Sequence, residues 1–326
     1  MTGLQNEVRK RDYMSDKEKN FMSAVLYVHN DEARIGDFLH MVVEVLEDHF
    51  EHAEIICVND CSQDNSVDIV RKVSTGVKNT TVTVLNMSYF HGVETAMNAG
   101  MDLAIGDFVL EFDACVQDFE PAKIMEAYHK TLKGYDIVSA SPDKKQRFTS
   151  RLFYGVFNRF TDYSYQLGTE RFRVLSRRVI NRVSSMNKSV PYRKAVYANC
   201  GLKTANIRYQ TIGVQAVRED RAERKYRTKL AVNSMILFTE LGYRFSVTMT
   251  VLMMLVAVAV AVYSAVVYLF STPVAGWTTT IFFMAFAFFG LFGILTIVIK
   301  YLQILVDLVF RRKKYSFESI EKMGGN

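Results

Sequence analysis

Two stretches of this chain carry no charged residue: Phe245 to Phe270, and Thr278 to Ile299. Each reaches the roughly 20 residues that a helix needs to cross the hydrocarbon layer of a bilayer. Whatever the rest of the chain does, it is therefore expected to do beside a membrane. The connection between the two runs, STPVAGW, holds Pro273 and Gly276 and no Lys or Arg, as a tight exterior turn would. Arg221, Arg224, Lys225, Arg227, Lys229 and Arg244 precede the first run, and Arg311 to Lys314 follow the second. Positive charge stays on the cytoplasmic side, so the runs are expected to form a hairpin in the inner (plasma) membrane with both ends in the cytosol.

The remainder is long enough for one domain. With 326 residues, 49% of them hydrophobic and only 4 Pro, the chain can build a domain of about 200 residues and something smaller. Its first residues, MTGLQNEVRKRDYMSDKEKN, are polar with no apolar core, so the expectation is no cleaved leader and a cytosolic domain. The expected division is a polar tail at 1–20, a cytosolic domain at 21–230, a juxtamembrane helix and hairpin at 231–310 (spans about 245–270 and 278–299), and a basic tail at 311–326. The cysteines at 57, 61, 115 and 200 lack paired metal-ligand spacing, and a reducing compartment argues against disulfides, so they read as ordinary thiols. The net charge of +6 is concentrated near apolar segments, which favours an anionic lipid surface over nucleic acid. Transport is disfavoured because the spans hold no charged or paired polar residues.

Between Ser23 and Ala140 short apolar runs alternate with helical patterns. SAVLYV is followed by Ile35, Phe38, Val42, Val45 and Leu46 at helical spacing; EIICV by DNSVDIVRKV; TVTVL by GVETAMNAGMDLA; DFVLEF by PAKIMEAYHKTL; then YDIVSA. Strand and helix repeated in this way imply an α/β domain with a mainly parallel sheet covered on both faces. Ligands of such sheets bind beyond the carboxyl ends of the strands, which draws attention to Asn30 and Glu32, Asn59 and Asp60, and Asp113. From Arg147 to Phe160 the pattern changes. Phe148, Leu152, Val156 and Phe160 share one helical face while Arg147, Arg151 and Arg159 occupy other positions, the pattern of a basic amphipathic helix in a membrane interface at about 147–162.

Six segments in order, SAVLYVHNDEARI, IICVNDCSQDNS, HGVETAMNAGMDLAIGDFVLEFDACVQDFEP, SRLFYGVFNRF, FRVLSRRVI and RKYRTKL, followed by two spans, resemble the family 2 glycosyltransferases that load a sugar onto a polyprenyl phosphate. The nearest subgroup is the bacterial dolichyl-phosphate-mannose-synthase-like enzymes with two C-terminal transmembrane helices. The resemblance implies a GT-A (nucleotide-diphospho-sugar transferase) fold, a nucleotide-sugar donor, an undecaprenyl-type polyprenyl phosphate acceptor, a divalent cation (Mg²⁺ or Mn²⁺) and inversion at the sugar carbon. It places the donor nucleotide against Asn30, Glu32, Asn59, Asp60, Ser62, Asp64 and Gly92, and the catalytic segment at Asp113, Gln117 and Asp118. The chain departs from the family pattern at Tyr27, Asn59, Cys61, Tyr89, Phe90, Cys115, Arg171 and Ala222.

The physical reading stands beside the resemblance. A hard cation held by oxygen ligands neutralises a diphosphate leaving group, and Asp113 and Gln117 can supply oxygens. Cys115 occupies the usual position of a second acid, where a soft sulfur suits Mg²⁺ badly, so weak metal binding is expected. A phosphate monoester is already strongly charged near neutral pH and needs cationic clamping rather than a strong base. Arg151, Arg173, Arg177 and Arg178 are the expected clamp, with Arg171 adding charge, since a guanidinium grips phosphate with two N–H groups. The altered donor positions leave a second reading open, a catalytically weakened or inactive homologue that scaffolds a membrane partner. A homo-oligomer is also left open.

Overall fold

The computed structural model describes residues 17–143, 170–186, 192–213, 226, 228–230, 248–249, 252–253, 255–256, 259, 276–310 and 315–323. The expected interfacial helix at 147–162, and nearly all of the expected span at 245–270, lie outside them.

Strand β1 (Met22–Val28) is buried along its whole length. Its side chains alternate between the two faces of a sheet: Ala24, Leu26 and Val28 enter one apolar cluster, Val25 and Tyr27 the other. Burial on both faces is why the strand reads as a continuous apolar run. The chain continues through α1 (Ile35–His49), β2 (Ala53–Asn59), α2 (Ser66–Ser74), β3 (Thr80–Met87), α3 (Val93–Leu103), β4 (Phe108–Phe112), α4 (Ala122–Leu132) and β5 (Ile137–Pro142), each where the sequence pattern places it. Then come β6 (Phe172–Ser176), α5 (Arg177–Met186), α6 (Arg193–Asn199), β7 (Thr204–Tyr209), α7 (Gly276–Phe310) and β8 (Phe317–Met323).

The strands form one sheet in the order β7-β5-β6-β4-β1-β2-β3-β8. β6 is antiparallel to both β4 and β5, β8 is antiparallel to β3, and the other pairings are parallel, so the sheet is mainly parallel but mixed. Residues of α1, α2 and α4, among them Phe38, Val70 and Tyr128, pack one face, and residues of α3, α5 and α6, among them Met97, Val179 and Tyr197, pack the other. Helix α3 lies close to the sheet because Gly100 has no side chain: a Cβ there would come within 2.5 Å of Val25 Cγ1 and 2.6 Å of Val58 Cγ2.

Described residues of both expected tails are paired to the sheet or to its neighbouring segments. Glu18 pairs with the strand-like backbone at Phe50, through Glu18 N–H to His49 O at 2.8 Å and Glu51 N–H to Glu18 O at 3.0 Å, so the packed domain includes residues before 21. At the other end, within the segment expected as a basic tail, Phe317–Met323 forms the edge strand β8. It is laddered to β3 and tied down by Arg71 to Glu321 at 2.9 Å and Tyr315 to Asp102 at 3.0 Å. Its exposed face leaves only weak alternation in FESIEKM, too little to mark a strand before its partner is known.

The chain divides into two compact units: one made of 1–155, 163–230 and 312–326, the other of 156–162 and 231–311. The described part of the second unit is dominated by α7, a helix of 35 residues.

Candidate functional site

The carboxyl ends of β1, β2, β3 and β4 lie on one edge of the sheet because the four strands are parallel, and the sequence-predicted donor residues collect there. The loops after β1 and β2 interlock. Asn30 N–H donates to Ser62 Oγ at 3.1 Å, Gln63 N–H donates to Asn30 Oδ1 at 2.8 Å, Glu32 N–H donates to Asp64 Oδ2 at 3.0 Å, and Asn65 N–H donates to Glu32 Oε2 at 3.1 Å. Asn30 and Cys61 adopt positive φ, 51° and 57°, the turn geometry that Asn tolerates best among residues with a side chain. Burial pushes the Asp64 carboxyl up, but bonds from Ser66 and the Glu32 backbone outweigh this and hold it below its ordinary value.

Asp60 is fully buried and faces inward. It accepts from Tyr27 Oη at 3.0 Å, His91 N–H at 2.8 Å and Gly92 N–H at 2.7 Å, so it joins the end of β1 to the loops after β2 and β3. Tyr27, a departure from the family pattern, is thereby explained as a partner of this carboxylate. Gly92, with φ of 83°, combines a left-handed backbone with the close approach of the Tyr226 ring, and a side chain fits neither. The substituted residues Tyr89 and Phe90 belong to an aromatic ledge: Tyr89 stacks on His91 at 4.0 Å between centroids, and Phe90 meets His29 at 4.7 Å and Tyr226 at 6.0 Å.

Asp113, at the end of β4, sits in an ion-pair network. Strand β6 runs antiparallel to β4 with Arg173 opposite Glu111, and this register delivers a guanidinium to the carboxyl end of β4. Arg173 donates through Nε to Glu170 at 2.6 Å, through Nη1 to Glu111 at 2.9 Å and through Nη2 to Asp113 at 2.9 Å. Arg193, from α6, donates through Nε to Glu94 at 3.0 Å, through Nη1 to Glu111 at 3.1 Å and through Nη2 to the other oxygen of Asp113. Tyr197 Oη donates to Glu111 at 2.8 Å. The side chains of Arg173, Arg193 and Glu111 are at most 2% exposed, whereas that of Asp113 is 24% exposed, so Asp113 is the member at the mouth. Burial alone would raise the Asp113 carboxyl; Arg173 and Arg193 overcome that and hold it far below the usual carboxylate range.

The rest of the predicted catalytic segment separates. Cys115 is fully buried in the apolar cluster that contains Cys57 and Phe112, and its thiol donates to Tyr27 O at 3.3 Å. Burial pushes the thiol well above its ordinary pKa. Cys115, at the position where the family pattern has a second acid, does not share the mouth with Asp113: the turn after β4 leaves Asp113 part-exposed and Cys115 buried. Cys115→Asp is therefore expected to destabilise the fold by about 3 kcal/mol or more, because a carboxylate would be buried in an apolar cluster. Urea unfolding against a Cys115→Ala control checks this, and unimpaired stability with tighter Mn²⁺ binding would contradict it. Asp118 is bound by Arg171 through Nε at 3.0 Å and Nη2 at 2.5 Å, and by Tyr209 Oη at 2.9 Å. Arg171 is thus neutralised by Asp118 rather than free to add charge to a clamp. Gln117 is half-buried on the same turn.

Of the expected clamp arginines, the three among the described residues do not meet. Arg173 is at the site but already holds carboxylates. Arg177 donates to the carbonyls of Ala104 and Gly106, ahead of β4, and Arg178 pairs with Asp136, ahead of β5, at 2.6 Å. The physical reason is the direction of β6: running against β4, it carries Arg177 and Arg178 to the opposite edge of the sheet from Asp113. Arg151 lies outside the described residues.

Sequence reasoning missed Glu94, Glu111, Glu170, Arg193 and Tyr197. Glu111 gave a usable signal, a lone acid inside the apolar run DFVLEF, since a charge in a strand buried on both faces demands a partner. It also missed a relay from the tail. Asn59 Nδ2 donates to Asn86 Oδ1 at 2.9 Å, and Asn86 Nδ2 donates to Ser319 Oγ at 2.9 Å and Glu321 Oε1 at 2.8 Å, so β8 fixes the amides that shape the turn after β2.

Among curated proteins the chain is similar to an uncharacterised glycosyltransferase of Synechocystis sp., 31% identical over 188 residues, 56% of this chain and 58% of that one. It is similar to a prophage bactoprenol glucosyl transferase homologue of Escherichia coli, 28% identical over 195 residues, 58% and 62% of the two chains. A third relative is the undecaprenyl-phosphate 4-deoxy-4-formamido-L-arabinose transferase of Edwardsiella ictaluri, 30% identical over 174 residues, 50% and 53% of the two chains. The chain thus spans between about half and two thirds of the length of these relatives. The model of glycosyl transferase family 2 matches residues 23–186, half of the chain, and covers every strand from β1 to β6 together with Asp60, Asp113 and Arg173. By that match, on a sheet that brings those residues to one edge, the chain belongs to glycosyl transferase family 2.

Proposed function

We propose that this protein transfers a sugar from a nucleotide-diphospho-sugar to a polyprenyl phosphate at the cytosolic face of a membrane. The observation that carries the proposal is the seat at the carboxyl end of β4, where one part-exposed carboxylate, Asp113, is flanked by two oriented guanidiniums. The names of two relatives, one for bactoprenol and one for undecaprenyl phosphate, support the acceptor class.

In this reading an oxygen of the acceptor phosphate attacks the anomeric carbon, the bond from that carbon to the diphosphate breaks, and the nucleoside diphosphate leaves with the electron pair. Attack from the face opposite the leaving group inverts the carbon. The interlocked Asn30, Glu32, Ser62 and Asp64 turns shape the nucleotide side, and Arg173 orients the acceptor phosphate.

A divalent cation would supply charge neutralisation to the leaving diphosphate. Among the described residues no group of three His, Cys, Asp or Glu side chains forms a metal cage. A cation carried in by the donor fits better. Mg²⁺-class ions commonly take one or two protein carboxylates and fill the rest with phosphate and water, and Asp113 with Gln117 could provide that share. The charge balance agrees: four carboxylates, Glu94, Glu111, Asp113 and Glu170, face two guanidiniums and the nearby Lys194, which leaves one negative charge in excess.

The membrane part of the proposal rests on the sequence. Counted over the described residues, no helix is long and apolar enough to cross a membrane. Hydropathy, however, belongs to the sequence, and α7 contains the complete uncharged run from Thr278 to Ile299. The first unit is interrupted by residues 231–311 and resumes at 312. With β8 paired to β3, any crossing made in between must be made an even number of times. A thiol placed at Gly276 is expected to label from outside intact cells and one at Lys314 only after permeabilisation; the opposite pattern would contradict a cytosolic domain.

A non-catalytic scaffold is the second reading, favoured by the arginine pairs that occupy both Asp113 and Asp118. Transfer of radiolabel from a panel of nucleotide sugars to polyprenyl phosphate, in membranes containing this protein, separates the two. Labelled lipid supports the transferase, and none from any donor supports the scaffold.

A further inference from the structure

Each guanidinium at the site is pinned by two buried anchors and ends on Asp113. Arg173 is anchored by Glu170 and Glu111, and Arg193 by Glu94 and Glu111. Their Nη2 groups then converge on the two oxygens of Asp113. None of the anchoring contacts involves Asp113, so the two Nη2 groups keep their direction if Asp113 turns away. The seat is shaped for an oxyanion, and the chain's own carboxylate fills it.

We propose that Arg193 is, with Arg173, a phosphate-binding residue, and that both are held in reserve on Asp113, so that the cation–diphosphate and the acceptor phosphate monoester bind cooperatively. The inference rests on the transferase reading and goes beyond it by assigning Arg193 and the linkage. Its logic is competitive. A cation drawn to Asp113 must take that carboxylate from the guanidiniums, which leaves two oriented Nη2 groups unpaired. A phosphate drawn to those groups must displace the same carboxylate. Whichever ligand enters first bears the cost of opening the ion pair, and the second enters without it, so each tightens the other by the same factor.

Charge strengthens the effect. The network, with Lys194 beside it, already holds an excess negative charge, so a phosphate alone meets repulsion from Glu94, Glu111 and Glu170 that a divalent cation would offset. The same balance explains why so many buried acids accompany two arginines. They orient the forks and keep the empty seat from capturing free phosphate.

The test uses the full chain in detergent, titrated by calorimetry with farnesyl phosphate as the monoester probe, with and without saturating Mn²⁺ plus a nucleoside diphosphate, UDP and GDP being tried separately. The expected result is that Mn²⁺–nucleotide tightens monoester binding by about tenfold or more, within the usual range of coupling between two sites. Monoester must tighten Mn²⁺–nucleotide by the same factor. Asp113→Asn, which keeps the shape but weakens the hold on both arginines, should bind monoester more tightly than wild type without cation and should lose most of the enhancement. Arg193→Lys keeps the charge but not the fork, and should reduce the coupling factor at least severalfold while nucleotide binding persists. Nucleotide binding with monoester affinity unchanged by it would overturn the linkage and leave the transferase reading standing. Full coupling in Arg193→Lys would overturn the assignment of Arg193. Absence of nucleotide binding under every condition would overturn both readings.

Discussion

Arg193→Met is expected to lower the stability of the strand-rich unit by about 3–5 kcal/mol, the usual penalty for removing one partner of a buried ion pair. Methionine fills most of the volume, so the loss would come from charge. Glu94 and Glu111 would each lose a guanidinium while remaining buried, and Asp113 would keep only Arg173. The pH dependence identifies the cause. In the wild type the Asp113 carboxyl is held far below its unfolded pKa of about 3.9. Its contribution is therefore fully present above that value and lost as pH falls through and below it. With Arg193 removed the depression shrinks, so the gap between wild type and variant should be smaller at about pH 2 than at pH 7, narrowing only below the unfolded value, where the variant's carboxyl takes up its proton before the wild type's. Urea midpoints at the two pH values measure this. A loss below about 1 kcal/mol at pH 7, or a gap that widens in acid, would show that the network is not what holds these elements together.

Asp113→Asn is expected to reduce sugar transfer by about 10³-fold, because the stabilisation of a leaving diphosphate is worth several kcal/mol and each 1.36 kcal/mol is a factor of ten in rate. The amide keeps an oxygen for one arginine, and the buried anchors Glu94, Glu111 and Glu170 are untouched, so a cooperative unfolding transition should persist. Initial rates of label transfer at saturating donor, set beside the unfolding curve of the same preparation, separate chemistry from folding. Transfer within tenfold of wild type would remove Asp113 from the mechanism and move attention to Asp118, the other carboxylate on this turn.

Much of the fold was legible because burial on both faces of a parallel sheet writes itself as unbroken apolar runs, and amphipathic helices write themselves with a period near four. SAVLYV, EIICV, TVTVL and DFVLEF were readable on these grounds, as was the edge of the sheet where Asn30, Asp60 and Asp113 gather. The exposed edge strand β8 was not. A strand with one wet face and a short alternation gains its identity from the ladder with β3, and that partner is far away in sequence.

The candidate site divides along the same line. The sequence by itself determined that Asp113 ends a buried strand, that basic residues follow in FRVLSRRVI, and that two uncharged runs lie between residues 245 and 299. Only the tertiary structure decided what those residues face. The antiparallel course of β6 separates Arg173 from Arg177 and Arg178, although they lie within one short segment, and the turn after β4 sends Cys115 into the core while Asp113 faces out. Arg193 reaches the same carboxylate from a helix whose sequence shows no motif. The physical reason is that residue spacing fixes periodicity along an element, whereas charge pairing depends on the direction and register of elements distant in the chain, and those are settled when the sheet assembles.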